Sequence, residues 1–281
     1  MRRILQDKTL WKCIALSFLI ALGSMLFYLW RDGGALIISG DEMEQGVPIS
    51  AAMNRMLRNG ALGWSWNIGL GTQSIGGFSV YGLGSPFFWL TLPFSPAAYP
   101  YLTGPLYILK YVVAAAFAYL WLSCFLEERT FALIGALLYA FSSFQNEHLM
   151  YQFKDTIALF PLLLIGIERI VRQRKPVVFV LAVFLNCMTS YYMFVGEVVF
   201  CVVYFLCRIT DPMLRGVRKS SLFSCLFGGI LGTGMSAVLF LPSILFISGN
   251  SRSHFNIFEP LYLGDDLLKL LLGTSAGGAD V

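Results

Sequence analysis

The sequence predicts an all-α protein, a multi-pass transmembrane helical bundle, and three observations carry that prediction. Of 281 residues, 57% are hydrophobic and 13% charged, and the mean hydropathy is +0.70, which is more apolar surface than a soluble core of this length needs. The apolar residues fall into runs that recur along almost the whole chain, several of them near the roughly 20 residues that cross a bilayer. Short basic clusters separate the runs, and such clusters stay on the cytoplasmic side. These features exclude a soluble enzyme. The net charge of +4 lies mostly in the clusters, so it reports orientation and implies no nucleic-acid partner. Cys13, Cys124, Cys187, Cys201, Cys207 and Cys225 lie in or beside apolar runs without a CxxC pair, as small buried side chains do.

Arg2, Arg3, Lys8 and Lys12 precede the first run, Cys13 to Trp30. The run is long and no small-x-small cleavage pattern closes it, so it is a retained first helix rather than a signal peptide, and its flanking charge places the N-terminus in the cytoplasm. The chain then leaves the bilayer at Arg31-Asp32 into a long first external loop, residues 31–101. An acidic cluster opens that loop. Asp41, Glu44 and Gln45 are spaced i, i+3, i+4 and share one face if a helical turn continues through them. Asp41 and Glu44 are candidate catalytic carboxylates, one as general base, with Gln45 orienting the substrate. The plainer alternative is a set of acids solvated at a helix end.

Further along the loop, Pro48 at a first turn and Asn59-Gly60 at a stop predict a helix over 48–59. Ile49, Ala52, Met53, Met56 and Leu57 fall on one face and Asn54, Arg55 and Arg58 on the other. That pattern suits an interfacial helix with its apolar side in acyl chains and Arg55 and Arg58 at phosphate level. Trp64 and Trp66 follow among glycines, as interface anchors or as a platform for a sugar ring; the P-loop pattern is absent. Ser85 to Phe94 is apolar but too short to span. With Pro86, Pro93 and Pro96 preventing a continuous helix, it lies in the interface or re-enters the membrane.

From Leu102 to Leu126 the chain returns inward, and Phe131 to Phe144 carries it out to a short loop with Glu147, His148, Lys154 and Asp155. These residues can face Asp41 across the mouth of the bundle. His148 and Lys154 are candidate substrate ligands and Asp155 a third candidate catalytic acid, although Asp155 can equally serve as a charge partner for the following helix. The HExxH pattern and a dense carboxylate array are both absent, so a divalent metal is left open and not indicated. Thr156 to Ile170 runs back to Arg169, Arg172, Arg174 and Lys175. Pro176 to Cys207 lies between that cluster and Arg208, Arg215, Arg218 and Lys219, which makes it a hairpin turning near Asn186 to Tyr192. A last helix, Leu222 to Ile247, leads outward to Arg252, His254, Asp265 and Asp266. The total is about seven spans in one transmembrane domain, 1–281. Of the charges inside spans, Lys110 is expected to snorkel and Glu197 to face protein.

Taken in order, Gly40-Asp41, Gln45, Pro48, the run Trp64 to Gly71, Ser85-Pro86, Leu109-Lys110, Leu137 to Ala140, Asp155, the run Pro161 to Glu168 and Lys175-Pro176 resemble the YfhO family of bacterial multi-pass membrane proteins. The resemblance covers roughly residues 36 to 270, and the combination is more specific than any of its pieces. It implies a GT-C type glycosyltransferase architecture that takes a sugar from a polyprenyl-phosphate-linked donor on the outer face of the cell membrane. The implied acceptor is a cell-surface glycopolymer such as lipoteichoic acid. Asp41 matches the first-loop acid of that architecture, and Asp155 matches a family aspartate whose role is unassigned. Members are usually longer, which implies that this chain is the N-terminal part of a larger protein. The implied mechanism has Asp41 deprotonate the acceptor hydroxyl while Arg55, Arg58 or Lys154 steadies the departing phosphate. The rival from another class is a transporter or lipid-binding scaffold without transferase activity, although no internal repeat supports it.

Overall fold

The computed structural model describes residues 6–36, 38, 40–68, 71–211 and 218–248. In chain order the elements are α1 (Lys8–Arg31), a π-helical turn (Glu42–Gly46), α2 (Val47–Arg58), the strands β1 (Trp64–Ser65) and β2 (Thr72–Gln73), α3 (Ser74–Ser79), α4 (Pro86–Trp89) and α5 (Tyr99–Leu122). There follow α6 (Arg129–Ala140), α7 (Ser143–His148), α8 (Thr156–Gln173), α9 (Val177–Thr189), α10 (Tyr191–Ile209), α11 (Arg218–Met235) and α12 (Ala237–Ser248). β1 and β2 form an antiparallel hairpin pairing Trp64 with Gln73. The all-helical class is as the sequence predicts. The chain divides into two compact units, 1–246 and 247–281; of the second, only the end of α12 is described.

α1 begins where it does because its apolar run is preceded by a competent cap. One oxygen of Asp7 accepts from the backbone N–H groups of Thr9 and Leu10 at 2.9 and 3.3 Å, and the other accepts from the Tyr119 hydroxyl at 2.9 Å. Cys13, Ser17 and Ala21, four residues apart, are fully buried, while Leu19, Phe27 and Trp30 are exposed. Contact along one stripe of small residues, with large apolar side chains facing outward, is how a helix packs in lipid. α5 is the central element and packs against α1, α6 and α8. α6 uses the same device, presenting Ala132, Ala136 and Ala140 at full burial to the cluster that holds Ala114, Ala115 and Ala118 of α5. On the far side, α9 packs against α8 and α11 through glycines. A Cβ at Gly166 would meet Phe179 Cα at 2.6 Å, and one at Gly232 would meet the Val180 carbonyl oxygen at 2.7 Å.

Among the described residues, α1, α5 with the Pro96–Ala98 turn before it, and α10 are long and apolar enough to cross a membrane, and α11 with α12 adds a fourth if that pair, bent by 73°, is one span. Counting by charge alternation gives about seven, because it also counts α6, α8 and α9. α6 has 12 residues and α9 has 13, and α8 carries Glu168, Arg169 and Arg172 within its 18. The hairpin breaks at Ser190, inside the expected turn, and the Ser190 hydroxyl caps α10 at Met193 N. The helix expected over Leu222–Ile247 is instead two helices broken around Ser236. Arg2, Arg3, Arg215, Arg252, His254, Asp265 and Asp266 lie outside the described residues.

One end of the bundle is tied by a buried charge. Glu168, 1% exposed, accepts from Arg208 at 2.6 and 3.2 Å, from Arg172 at 2.7 Å and from the Tyr204 hydroxyl at 2.8 Å. Tyr204 in turn accepts from the Trp121 indole at 3.0 Å, which joins α5, α8 and α10. Replacing Glu168 by Gln keeps the shape but removes the charge, so it should cost about 2 kcal/mol, the scale of hydrogen bonds to a charged group. Arg172→Ala, on a half-exposed pair, should cost well under half as much. Thermal unfolding in detergent of the two variants checks the contrast, and equal losses would show that Glu168 acts as packing alone.

Candidate functional site

The long first loop folds into the bundle rather than over it. Its segment 82–88 passes between two other parts of the chain. Gly82, at φ +82°, sits so close to Gln152 that a Cβ would lie 2.9 Å from the Gln152 Cβ, and a Cβ on Gly84 would overlap the Met188 carbonyl oxygen. The insertion delivers Ser85, Phe87 and Phe88 to the interior. The expectation for Ser85–Phe94 concerns the membrane; what the structure shows is that the start of this segment packs against protein, with Trp89, Leu90 and Phe94 exposed.

Ser85 meets an ion pair there. Its hydroxyl donates to Asp155 Oδ2 at 2.6 Å, and Lys110 Nζ lies 2.6 Å from Asp155 Oδ1. Lys110 also donates to the Leu149 carbonyl at 3.1 Å and stands 4.9 Å from the centre of the Tyr107 ring. Its side chain is 5% exposed, so it does not snorkel: the membrane-facing cost of its charge is met by a carboxylate instead. Asp155 precedes α8 without capping it, because both of its oxygens are already engaged.

Glu42, 1% exposed, completes this core. The π-helical turn, closed by Val47 N–H to Glu42 O, buries Glu42 and Gly46 and leaves Asp41, Glu44 and Gln45 exposed. Glu42 Oε2 lies over the α-carbon of Gly46, where a Cβ would be 2.5 Å from it. With Tyr99, Thr103, Tyr107, Lys110, Gln152 and Asp155, Glu42 lines a cavity of about 10 Å³, room for about one water. Burial pushes the Glu42 carboxyl above the usual carboxylate range, against the pull of Tyr107 and Lys110. Sequence reasoning passed over Glu42; the signal that could have found it is Gly46 four residues on, a position without a side chain beneath a carboxyl.

An open pocket of about 250 Å³ lies next to that core, lined by Asp41, Gln45, Gly46, Val80, Tyr81, Met150, Tyr151 and Gln152. Gln152 lines both spaces. Gln45 Nε2 donates to Asp41 Oδ1 at 3.3 Å and the Tyr151 hydroxyl to Asp41 Oδ2 at 3.1 Å. The carboxylate holds the Tyr151 phenol above its ordinary range, which keeps it a donor. Lys154 Nζ stands 5.5 Å from the centre of the Tyr151 ring, and partial burial lowers its ammonium. The His148 ring lies 6.2 Å from the Tyr151 ring and 4.4 Å from that of Phe144, with Nδ1 2.7 Å from the Phe144 carbonyl oxygen. The structure thus brings Asp41, Gln45, His148 and Lys154 together around Tyr151.

The other candidates stand apart. Glu44 lies outside both cavities, because a turn with i→i+5 bonding carries position 44 off the face shared by 41 and 45. α2 forms as expected, but its buried face includes Val47, Ser50 and Asn54 as well as Met53 and Met56, so it packs on protein as well as presenting an apolar side. The Asn54 amide donates to the carbonyls of Thr91 and Phe94, and Arg58 donates to those of Leu92, Pro93 and Phe94 at 3.0 to 3.1 Å. Arg58 therefore holds the turn after α4, and Arg55 is exposed. Trp64 and Trp66 pack edge to face at 5.6 Å over Gly71, both exposed and outside both cavities. Among the described residues no three His, Cys, Asp or Glu side chains gather as a metal site would require.

Comparison with known proteins follows from the same residues. A family model described as "Bacterial membrane protein YfhO" matches residues 14–277. "Uncharacterized protein YfhO" of Bacillus subtilis (strain 168) is 25% identical over 279 residues, covering 90% of this chain and 32% of that protein. The chain thus spans about a third of the length of that relative. No solved structure matches the chain.

Proposed function

The chain belongs to the YfhO family of bacterial membrane proteins, and from that premise we propose that it forms part of a membrane glycosyltransferase. In this reading it takes a sugar from a polyprenyl-phosphate-linked donor and passes it to a cell-surface glycopolymer of the lipoteichoic-acid kind. The observation that supports it is Asp41, an exposed carboxylate in an open pocket, with a hydrogen-bond donor on each oxygen and lone pairs to spare. Asp41 removes the proton of the acceptor hydroxyl as that oxygen attacks the anomeric carbon. The bond from the anomeric carbon to the phosphate oxygen breaks, and the phosphate leaves with its electron pair. Lys154, beside Tyr151, steadies that charge in this reading, while the Arg58 guanidinium donates to three carbonyls. Gln45 and Tyr151 fix the carboxylate, and Asp155 acts through Lys110 as a positioning residue. Direct displacement inverts the anomeric centre; a product of retained configuration would overturn this route.

The rival, a transporter or lipid-binding scaffold, draws on the helix breaks at Ser190 and Ser236. Transfer from a radiolabelled polyprenyl-phosphate sugar, in membranes carrying the chain or its Asp41→Asn variant at matched expression, separates the two. Asp41→Asn should lower transfer by about 10²–10⁴-fold, the scale of a lost general base. Equal transfer by both would remove Asp41 from the mechanism, and donor binding without transfer by the parent chain would favour the scaffold.

A further inference from the structure

The core beneath the pocket contains two carboxyl groups and one cation. Asp155 has claimed that cation, with Lys110 at 2.6 Å and the Ser85 hydroxyl at 2.6 Å on its two oxygens. Glu42 is 1% exposed and, among the described residues, its Oε2 has no hydrogen-bond partner. The groups facing it are Tyr99, Tyr107 and Lys110 from α5, and Gln152 and Asp155 from the segment before α8. Of these only Lys110 is cationic. A buried carboxylate without a cation of its own costs several kcal/mol, whereas the neutral acid costs only what a polar group does. A cation and a hydroxyl donor favour the ionised form of Asp155, and Glu42, buried without either, keeps the proton more tightly.

We propose that Glu42 is a buried proton-binding site: at neutral pH its carboxyl is the neutral acid, held between the Lys110–Asp155 ion pair and the wall of the Asp41 pocket. The proton makes the core electrically neutral, so the core adds no net charge to the pocket beside it. Gly46 is part of the device, since its missing side chain is what admits Oε2. Tyr107, whose hydroxyl likewise has no other partner among the described residues, faces the acid and can accept its proton in a hydrogen bond.

The full chain in detergent at pH 7 tests this by infrared difference spectroscopy, parent minus Glu42→Gln. The proposal expects a positive carboxylic-acid C=O band in the difference and no carboxylate bands. Glu197 Oε2 is also buried and unpartnered, and any band of its own disappears with Glu197→Gln, not with Glu42→Gln. The sign of the pH dependence follows from the same proton. Between the unfolded and folded pKa values the native state keeps a proton that the unfolded chain has released, so stability falls as pH rises through that window. Melting of the parent should therefore fall more steeply with pH than that of Glu42→Gln. Carboxylate bands in the difference, or parallel melting profiles, would overturn the proposal. So would a Glu42→Gln chain that does not fold, because the amide has the shape of the neutral acid.

Discussion

Lys110→Met should destabilise the chain by about 3–5 kcal/mol, the cost of leaving a buried charge without its partner. The side chains of Lys110 and Asp155 are 5% and 3% exposed, so solvent screens little of the loss. Methionine has nearly the volume of the lysine stem, which confines the effect to the missing ammonium. Two further results identify the cause. Adding Asp155→Asn to Lys110→Met should recover most of the loss, because the second change removes the stranded charge; two independent packing defects would add instead. The penalty should also shrink as pH falls, since burial already pushes the Asp155 carboxyl up, and a protonated Asp155 needs no cation. Thermal unfolding of the single and double variants between pH 5 and 8 measures both, and a loss that neither rescue reduces would mean that the lysine stem matters more than its charge.

That ion pair also shows where the sequence was legible and where it was not. A lysine inside an apolar run announces either a route to water or a buried partner, and one chain cannot decide between them, because the partner lies 45 positions later across a contact that no local pattern encodes. The helical elements were legible because their apolar runs, proline positions and basic clusters are local. The hairpin turn near Asn186 to Tyr192 was legible for the same reason, although the structure and not the sequence singles out Ser190 in it. The pairing of Asp41 with Gln45 followed from i, i+4 spacing, and it survived the unexpected turn geometry. Glu44 did not, and Glu42 was overlooked, because a π-helical turn is set by what it packs against rather than by its own residues. Similarly, the amphipathic pattern of α2 is real, but Arg58, expected at phosphate level, and Asn54, expected on the same polar face, have the carbonyls of Thr91 to Phe94 as partners. Those carbonyls belong to the turn after α4, and where they lie relative to α2 is a property of the fold.

The segment that carries Ser85 inward makes the second large prediction. A Cβ on Gly84 would overlap the Met188 carbonyl oxygen and lie 2.9 Å from Leu239 Cδ1. The first of these neighbours is backbone at the end of α9, which cannot move aside as a side-chain tip can. Gly84→Ala should therefore cost about 3 kcal/mol or more, at or above the upper end of ordinary overpacking. Gly63→Ala, in the same loop and with no atom within 4 Å of its new Cβ, should cost a few tenths at most. The distinction reaches the site as well as the fold. If the segment is pushed out, Ser85 leaves Asp155, and Gln152, which packs on Gly82, loses its seat between the two cavities. Gly84→Ala should then lower sugar transfer even in preparations that remain folded, while Gly63→Ala leaves it unchanged. Equal melting temperatures for the two variants would show that the first loop does not insert at Met188, and the Asp41 pocket would lose the wall that Val80 and Tyr81 of that loop supply.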